Sequence, residues 1–497
     1  MRFFTRVVLT SLVLGGFISQ ASAQKTKTEA GPAQATVRAN SQFGLELYQL
    51  LAASKEGENV FFSPYSISNC LMMAAEGARG TTALEFGKVL HFPASARRTG
   101  ADGVMQPWDT SPLHAGFAQL NRGLYRPASP DEEAVKKELE DLQKQMAELQ
   151  KQGRDFIRMQ ALSKQMAELD AKLASYELNV ANSLWVEKSF PLMQPFKDAL
   201  AVHHDTGGAY PVDFLQKAEQ ERQAINQWVE QQTKNYIKDL FPQGSITSDT
   251  RVVLANAIYF KGAWQEPFPV AATQQKDFHL TDGKTVKAPL MQHEKSKARY
   301  GAFIGNGQPF ATPRFYDDNL KPTDYYPAAD GFTAVELPYK GGQLSLLVIA
   351  PQKPEGLAAL EKKLTADNLN DWLSKMGNRK IVVDLPKYKV ESSFSLNGSL
   401  AKLGLGEAFA PGKANFQGIS NAENLYISAA VHKAYVEVSE EGTVAAAATG
   451  LSFSTTSAPV QIPFVPHFRA DRPFLFMIRD GSTGLVLFMG RVMNPAE

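Results

Sequence analysis

The chain has 497 residues, of which 44% are hydrophobic and 21% are charged, so it is long and apolar enough to bury a large core. Its formal net charge of +1 excludes the strongly basic surface that is typical of proteins that bind nucleic acid or acidic membranes. We therefore expect neither nucleic acid nor a membrane among its partners. The single cysteine, Cys70, excludes a disulfide within the chain.

Residues 1–23 have the composition of a secretory signal peptide. Arg2 and Arg6 precede an apolar stretch at 7–18, and the small residues at 21–23 are typical of a cleavage site. The alternative is an N-terminal membrane anchor, which would need a longer apolar run of about 20 residues. We predict cleavage after Ala23 and secretion into an extracellular or periplasmic space.

The first part of the mature chain is predicted to be a flexible tail followed by helices. Residues 24–40 are small and polar, which favours a flexible N-terminal tail. An amphipathic helix is predicted at 43–53, and a second helical stretch follows Pro64 and reaches about residue 77.

Residues 131–176 have the pattern of a helical insertion. Apolar residues are spaced three and four apart, and the sextet Lys-Gln-Met-Ala-Glu-Leu occurs at 144–149 and again at 164–169. A change of phase near Gly153 predicts a coiled-coil-like hairpin of two helices, and a single solvated helix is the alternative. The acidic and basic residues of this hairpin are too balanced for it to bind a polyanion. We expect self-association or docking through the hairpin instead.

Strands predominate from residue 178 onward. Apolar runs rich in β-branched and aromatic residues lie at 252–260, 333–337, 344–349, 381–385, 431–438, 474–478 and 485–489. Helices are predicted at 225–240 and 357–364, and the Pro- and Tyr-rich segment 301–329 is predicted to be an inserted surface loop. Because strands and helices do not alternate strictly, the pattern favours a mixed α/β domain over a parallel barrel.

The sequence lacks the common motifs of catalytic and cofactor sites. It contains no G-x-S-x-G elbow, phosphate-binding loop or H-E-x-x-H helix, and Gly404 and Gly406 lack the third glycine of a dinucleotide site. His203, His204 and Asp205 are direct neighbours, which do not point at one ion from a helix or strand. We expect no metal, no cofactor and no enzymatic activity.

The segment 440–449 is unusual because it is small and almost uncharged. It consists of Glu440, Glu441, Gly442, Thr443, Val444, Ala445, Ala446, Ala447, Ala448 and Thr449. No side chain of the segment after Glu441 is charged, so residues 442–449 could move from solvent into a crowded interior without burying a charge. The composition of the segment is also compatible with a helical turn or a flexible linker.

An ordered series of motifs resembles those of the serpins, the serine protease inhibitors. The motifs lie at 59–67, 181–186, 254–264, 335–342, 468–476 and 488–495. The resemblance implies a mixed α/β serpin fold in a single domain, 41–497. That fold would have three β-sheets, about nine helices and an exposed reactive-centre loop, here with the helical hairpin inserted.

The resemblance also implies a function. A serpin is a suicide substrate: a serine protease cleaves the reactive-centre loop, which inserts into the main sheet and traps the acyl-enzyme. Residues 440–449 would be the hinge of that loop. Strand alternation places Thr443, Ala445, Ala447 and Thr449 on one face, and their small size favours an inhibitory serpin over a carrier or chaperone that never inserts its loop. Val444 stands where the family usually has glutamate, a difference that the solvent-facing side should tolerate.

Two clusters are carried over from the family by motif. Ser63, Ser66, Asn256 and His432 resemble the shutter, which lies where the main sheet parts. Trp264, Lys387 and Glu440 resemble the breach, where insertion begins, and we expect an ion pair between Lys387 and Glu440.

The scissile bond depends on which end of the loop is counted. The usual spacing from the hinge places it between Thr456 and Ser457, whereas counting back from Phe468 places it between Val460 and Gln461. A small, neutral Thr456 favours an elastase-like or subtilisin-like protease over a trypsin-like one. Phe453 keeps a chymotrypsin-like target open.

Overall fold

The computed structural model describes residues 31–98, 105–124, 132–152, 156–170, 176–203, 207–310, 330–443 and 464–496. Within these residues there are eleven α-helices: α1 Pro32–Ser54, α2 Pro64–Gly77, α3 Gly80–Val89, α4 Ser111–Leu124, α5 Glu132–Gln152, α6 Phe156–Asp170, α7 Gln194–His203, α8 Phe214–Gln232, α9 Leu357–Lys363, α10 Ala366–Lys375 and α11 Asn397–Leu403. No helix in this part of the chain is both long and apolar enough to span a bilayer.

The described residues also form fifteen strands. They are β1 Val60–Phe62, β2 Tyr176–Glu187, β3 Gly207–Val212, β4 Val252–Ala263, β5 Gln274–His279, β6 Thr285–Phe303, β7 Phe332–Pro338, β8 Leu344–Pro351, β9 Gly377–Pro386, β10 Tyr388–Ser395, β11 Ile427–Val438, β12 Gly442–Thr443, β13 His467–Arg469, β14 Phe474–Asp480 and β15 Val486–Val492.

The strands form two hydrogen-bonded sheets, and the mixed α/β fold class is confirmed. The six-stranded sheet has the order β10-β11-β4-β2-β3, with β12 paired to the end of β4. The nine-stranded sheet has the order β1-β15-β14-β8-β7-β6-β9-β13, with β5 on β6. Three sheets are expected, and the nine-stranded sheet combines two of them. They are joined because the 19-residue β6 pairs with both β7 and β9, around an irregularity between Lys295 and Ala298.

Both faces of β4, at the centre of the six-stranded sheet, are buried. In β4, Leu254, Ile258 and Phe260 point into the main core, which α2 and the nine-stranded sheet also line. Val253 and Ala257 point to the other face, into a second apolar cluster beneath α8. Burial on both faces explains why β4 is an almost unbroken apolar run in the sequence.

The predicted tail is wrong from residue 32 onward. α1 begins at Pro32, whose fixed φ suits the first turn of a helix, and not near residue 43. Val37 and Asn40 are buried, and the Asn40 side chain donates a hydrogen bond to the Val486 carbonyl at 3.0 Å. Tertiary contacts therefore order a segment whose polar composition favours a tail. Residues 1–30, including the predicted signal peptide, lie outside the described part of the chain.

Two other boundaries differ from the sequence prediction. The helix predicted at 225–240 is α8, which begins earlier because Asp213 caps it by accepting a hydrogen bond from the Gln216 N–H. It ends at Gln232, before two residues with positive φ, Lys234 and Asn235. The loop insertion predicted at 301–329 is wrong for its first three residues, which extend β6 and pair with β7; residues 311–329 lie outside the described chain.

The predicted hairpin region contains two helices, α5 and α6, that pack against each other. Leu162 and Leu169 of α6 are buried, whereas Ile157 at the start of α6 is 81% exposed. The turn residues 153–155 lie outside the described part. The predicted strands from 252 to 489 all overlap strands of the structure, with ends that differ by a few residues.

Candidate functional site

The candidate site lies along the boundary between β4 and β11, which we call the seam. These strands are parallel neighbours that pair from Val252 opposite Ile427 to Tyr259 opposite Tyr435. Beyond that point β11 continues alongside β10, and β4 continues alongside β2. The two strands therefore part at one end of the seam.

Polar side chains cross the seam near its middle. His432 of β11 is the register partner of Asn256 of β4, and their side chains form a hydrogen bond. Asn256 Nδ2 donates to Ser66 Oγ at 2.7 Å and to the Ser66 carbonyl at 2.9 Å. The structure thus brings together three of the four residues predicted for the shutter.

Ser63, the fourth predicted residue, joins this network by capping α2. Its Oγ accepts from the Ser66 N–H at 3.0 Å and donates to the Leu487 carbonyl at 2.6 Å. Its backbone N–H donates to His432 Nε2 at 3.1 Å. A helix N-terminus beneath the seam is therefore connected to the histidine that crosses it.

These contacts determine the tautomer of His432. Nε2 accepts the Ser63 N–H, so Nδ1 carries the proton and donates it to Asn256 Oδ1. Burial lowers the pKa of His432 to about 3. The ring is therefore neutral at physiological pH, and protonation would place an N–H against the Ser63 N–H.

Asn182 completes the network and was missed from the sequence. It is the register partner of Asn256 on β2, and its Oδ1 accepts from Ser66 Oγ at 3.0 Å. It also contacts Asn256 Nδ2 through Oδ1, while its own Nδ2 has no hydrogen-bond acceptor among the described residues. The signal was available, because Asn182 is a polar residue inside one of the apolar strand motifs.

The ion pair expected at the breach is present at the end of the seam where the strands part. Lys387 Nζ lies 2.8 Å from Glu440 Oε2, and Thr273 Oγ1 donates to Glu440 Oε1 at 2.9 Å. Burial acts to raise the pKa of the Glu440 carboxyl, but the hydrogen bonds from Lys387 and Thr273 outweigh it and the pKa is lowered. Glu440 is therefore held as a carboxylate at neutral pH.

Backbone hydrogen bonds attach the start of the predicted hinge to the segment after β4. Trp264 N donates to the Glu441 carbonyl at 2.9 Å, and Phe268 N donates to the Glu440 carbonyl at 2.7 Å. The Trp264 indole N–H donates to the Ser439 carbonyl at 2.9 Å, and its ring stacks on Tyr339 with centroids 4.8 Å apart. The third predicted breach residue thus holds the hinge in place.

Gly442 allows the chain to reverse at this point. Ser439 N donates to the Gly442 carbonyl at 2.8 Å, which closes a tight turn. Gly442 has φ +145°, and a Cβ there would lie 2.1 Å from the Gly262 carbonyl oxygen. Only glycine fits this close approach.

After the turn, the chain starts a strand that runs back along β4. Gly442 pairs with Ala263 and Thr443 pairs with Gly262, antiparallel to β4. β12 therefore lies where β4 and β11 have separated. Residues 444–449 of the hinge and both predicted scissile bonds, Thr456–Ser457 and Val460–Gln461, lie outside the described residues and stay predictions.

A buried lysine close to the hinge was also missed from the sequence. Lys295 Nζ lies 3.8 Å from the centre of the Phe268 ring and donates a hydrogen bond to the Glu266 carbonyl. Burial lowers the pKa of Lys295 to about 7. Nothing in the sequence around Lys295 distinguishes it from a surface lysine.

The described residues contain no group of His, Cys, Asp and Glu side chains arranged to hold a metal ion. His203 ends α7, while His204 and Asp205 lie outside the described part of the chain.

Comparison with known proteins places these features in a family. The family described as "Serpin (serine protease inhibitor)" matches residues 38–495. Leukocyte elastase inhibitor A of Mus musculus is 35% identical over 468 residues, which cover 92% of this chain and 98% of the relative. Serpin B10 of Papio anubis is 34% identical over 459 residues, with coverage of 92% and 98%. Among solved structures, Serpin48 of the insect Tenebrio molitor superposes with a TM-score of 0.67 at 26% identity, covering 93% of this chain and 98% of that one.

Proposed function

The chain belongs to the serpin family, and we propose that it inhibits a serine protease as a suicide substrate. The protease would cleave the loop that follows Thr443 and form an acyl-enzyme with it. The freed loop would then enter the seam as a new strand and carry the protease along. The observation that carries this proposal is β12, because its two residues already pair with β4 at the open end of the seam.

The register of β12 supports insertion of the rest of the hinge. Extending the antiparallel ladder would place Ala445 opposite Phe260, Ala447 opposite Ile258 and Thr449 opposite Asn256. Directly opposed residues share a face, and these β4 residues point towards the main core and its buried network. Small side chains are needed on that face, and the hinge supplies them.

The hydrogen-bond pattern of the seam favours insertion energetically. The closed seam is a parallel pair, whereas an inserted strand that continued β12 would be antiparallel to both β4 and β11. One parallel pair would be replaced by two antiparallel pairs, which are slightly more stable per residue. We infer that the uncleaved sheet is the less stable form and that insertion supplies the energy for trapping.

We propose an elastase-like protease as the first target to test. The mouse relative is named a leukocyte elastase inhibitor, and Thr456 is small and neutral. Subtilisin-like and chymotrypsin-like proteases are the next candidates. Inhibition, not catalysis by the chain itself, is the activity that this proposal assigns.

The test is a panel of serine proteases scored for complexes that survive SDS, with the mass of the released fragment identifying the scissile bond. We expect an SDS-stable complex and a cut between residues 452 and 461. The matched control is Thr443→Arg, which would place a charge on the core-facing side and convert the inhibitor into a substrate that is cleaved without being trapped.

The alternative function is that of a carrier or chaperone on the same fold. It predicts no SDS-stable complex with any protease, and no gain in thermal stability after the loop is cut. Both results together would overturn the inhibitor proposal.

We further propose that the chain is exported. The support is the sequence of residues 1–23, with two arginines before the apolar stretch. Export predicts an extracellular or periplasmic chain that begins at Gln24, and N-terminal sequencing checks this. A chain retained in the cytoplasm with Met1 in place would contradict it.

The hairpin of α5 and α6 is proposed to mediate self-association. Met146 of α5 and Ile157 and Met159 of α6 line one shallow, largely apolar depression on it. Such a surface on an otherwise charged hairpin is typical of a contact between helices of two copies.

A further inference from the structure

Three tyrosine rings stack across the seam on the face away from the main core. The Tyr236 ring lies 3.8 Å from the Tyr259 ring, centroid to centroid, with an angle of 8° between the planes. The Tyr236 and Tyr435 centroids are 6.3 Å apart, and those of Tyr259 and Tyr435 are 6.4 Å apart. Tyr259 belongs to β4 and Tyr435 to β11, so Tyr236 contacts both strands of the seam.

The stack lies at the point from which the strands separate. Tyr259 and Tyr435 are the last register pair of the seam on the side of the hinge. A strand that entered from β12 would reach this pair before it reached the polar network at Asn256 and His432. The stack therefore covers an early position on the path of insertion.

The segment that carries Tyr236 is attached to strands on both sides of the seam. It follows α8, and we call residues 233–238 the clasp. Lys433 of β11 donates from Nζ to the Lys238 carbonyl at 2.8 Å. On the other side, Lys234 Nζ lies 3.1 Å from Glu177 Oε2 of β2, and the side chain of Ile237 is fully buried.

These contacts are incompatible with an open seam. Neighbouring strands lie about 4.8 Å apart, so one inserted strand would separate β4 from β11 by about 9.6 Å. Tyr236 could then stay on Tyr259 or follow Tyr435, but it could not stack on both. The bond from Lys433 to Lys238 would be strained in the same way.

We propose that Tyr236 holds the seam closed and that its release from Tyr435 is a step of loop insertion. This positioning role rests on the inhibitory function proposed above. The clasp stabilises the uncleaved chain more than the inserted form, because the inserted form has already lost one side of the stack.

The hinge sequence agrees with this role. In the register set by β12, Ala446 would arrive opposite Tyr259, on the face that Tyr236 covers. A methyl group can pass beneath the ring of Tyr236, whereas a larger side chain would collide with it. The clasp thus gives a physical reason for a small residue at Ala446, on the face of the hinge that would point away from the main core.

The test compares unfolding of the full chain before and after its loop is cut by a protease that it does not trap. Guanidinium chloride is added at a level that brings both transitions into range. We expect Tyr236→Ala to lower the unfolding midpoint of the uncleaved chain by about 1–3 °C, as for the loss of its two aromatic contacts in a chain of 497 residues. The midpoint of the cleaved chain is expected to fall by less, because only one side of the stack remains to be lost there, and Tyr236→Phe should behave like the wild type.

Tyr210→Ala is the matched control. Tyr210 is 36% exposed, close to the 40% of Tyr236, and it stacks on Trp185 at 4.7 Å. It lies on β3, away from the seam, so its loss should lower both midpoints equally.

Three results would overturn the proposal: an equal loss in both forms of Tyr236→Ala, no loss in the uncleaved form, or a wild-type chain whose stability does not rise on cleavage. SDS-stable complexes of the wild-type chain are scored in parallel. If they are absent while the two midpoints still differ as expected, protease trapping fails and the clasp stands.

Discussion

At the scale of single residues, the fold strongly changes the chemistry of His432. In the unfolded chain it is an ordinary histidine, with a pKa near 6.5. Folding buries the ring, directs the Ser63 N–H at Nε2 and lowers the pKa to about 3. Between these two pH values the unfolded chain binds a proton that the folded chain excludes, so the stability contributed by neutral His432 is lost as the pH falls from about 6.5 towards 3.

We predict that the free energy of unfolding of the uncleaved chain depends on His432 in this window. His432→Gln should remove up to about 1.4 kcal/mol per pH unit from the slope of stability against pH between 3 and 6.5. Denaturant unfolding at a series of pH values measures the slope, and the exposed His279→Gln is the control. Equal slopes for wild type and His432→Gln would contradict the proposed titration.

At the scale of the element, the turn that joins β11 to β12 controls the open end of the seam. Its backbone accepts hydrogen bonds from Trp264 and Phe268, and its carboxylate Glu440 pairs with Lys387. Gly442 keeps it close against the end of β4. If this turn detached, the parted ends of β4 and β11 would be open edges that another chain could pair with.

Glu440→Lys should therefore promote polymerisation. It places two like charges at the breach and removes the acceptor of Thr273, so the turn would detach and the loop of a second copy could enter the seam. Size-exclusion chromatography after mild heating measures the polymers. The double variant Lys387→Glu/Glu440→Lys should reduce them by restoring the pair.

Glu437→Lys is the control for that variant, because Glu437 of β11 pairs with Lys389 of β10 close to the breach but at a more exposed position. It should stay monomeric under the same heating. A Glu440→Lys chain that is monomeric and fully inhibitory would refute the role given to the breach.

At the scale of the whole molecule, the hairpin is separable from the inhibitory machinery. α5 and α6 pack chiefly on each other, whereas the seam, the shutter and the breach are built from β4, β10, β11 and their neighbours. Inserted segments at the surface can be removed at small cost when the chain around them keeps its contacts.

We predict that replacing residues 131–175, which stop short of β2, by a short Gly/Ser linker abolishes self-association and preserves protease trapping. Light scattering gives the mass of the assembly, and the yield of SDS-stable complex gives the activity. A substitution of Ile157 by Asp should reproduce the loss of association without a deletion. Unchanged mass in both variants would contradict the role assigned to the hairpin.

Local patterns in the sequence were sufficient for the fold class, most strands and the family. β4 is a long apolar run, β11 alternates apolar and polar residues over much of its length, and the small residues of 440–449 are visible by inspection. These features depend on neighbours in the chain, through alternation and side-chain size, so they can be derived without coordinates. The pairing of Lys387 with Glu440 also followed from the sequence, but only through the resemblance to a family.

The tertiary structure decided what depends on residues far apart in the chain. Asn40 is ordered by a carbonyl 446 residues away, which its polar surroundings could not indicate. Asn182 joins the shutter, and Tyr236 covers the seam, because strand register brings them there. Hydrophobic patterning specifies which face of a strand is buried, whereas the identity of its neighbour is set by how the whole chain packs. The small hinge was therefore evident from the sequence, and the seam that it would enter became evident only from the fold.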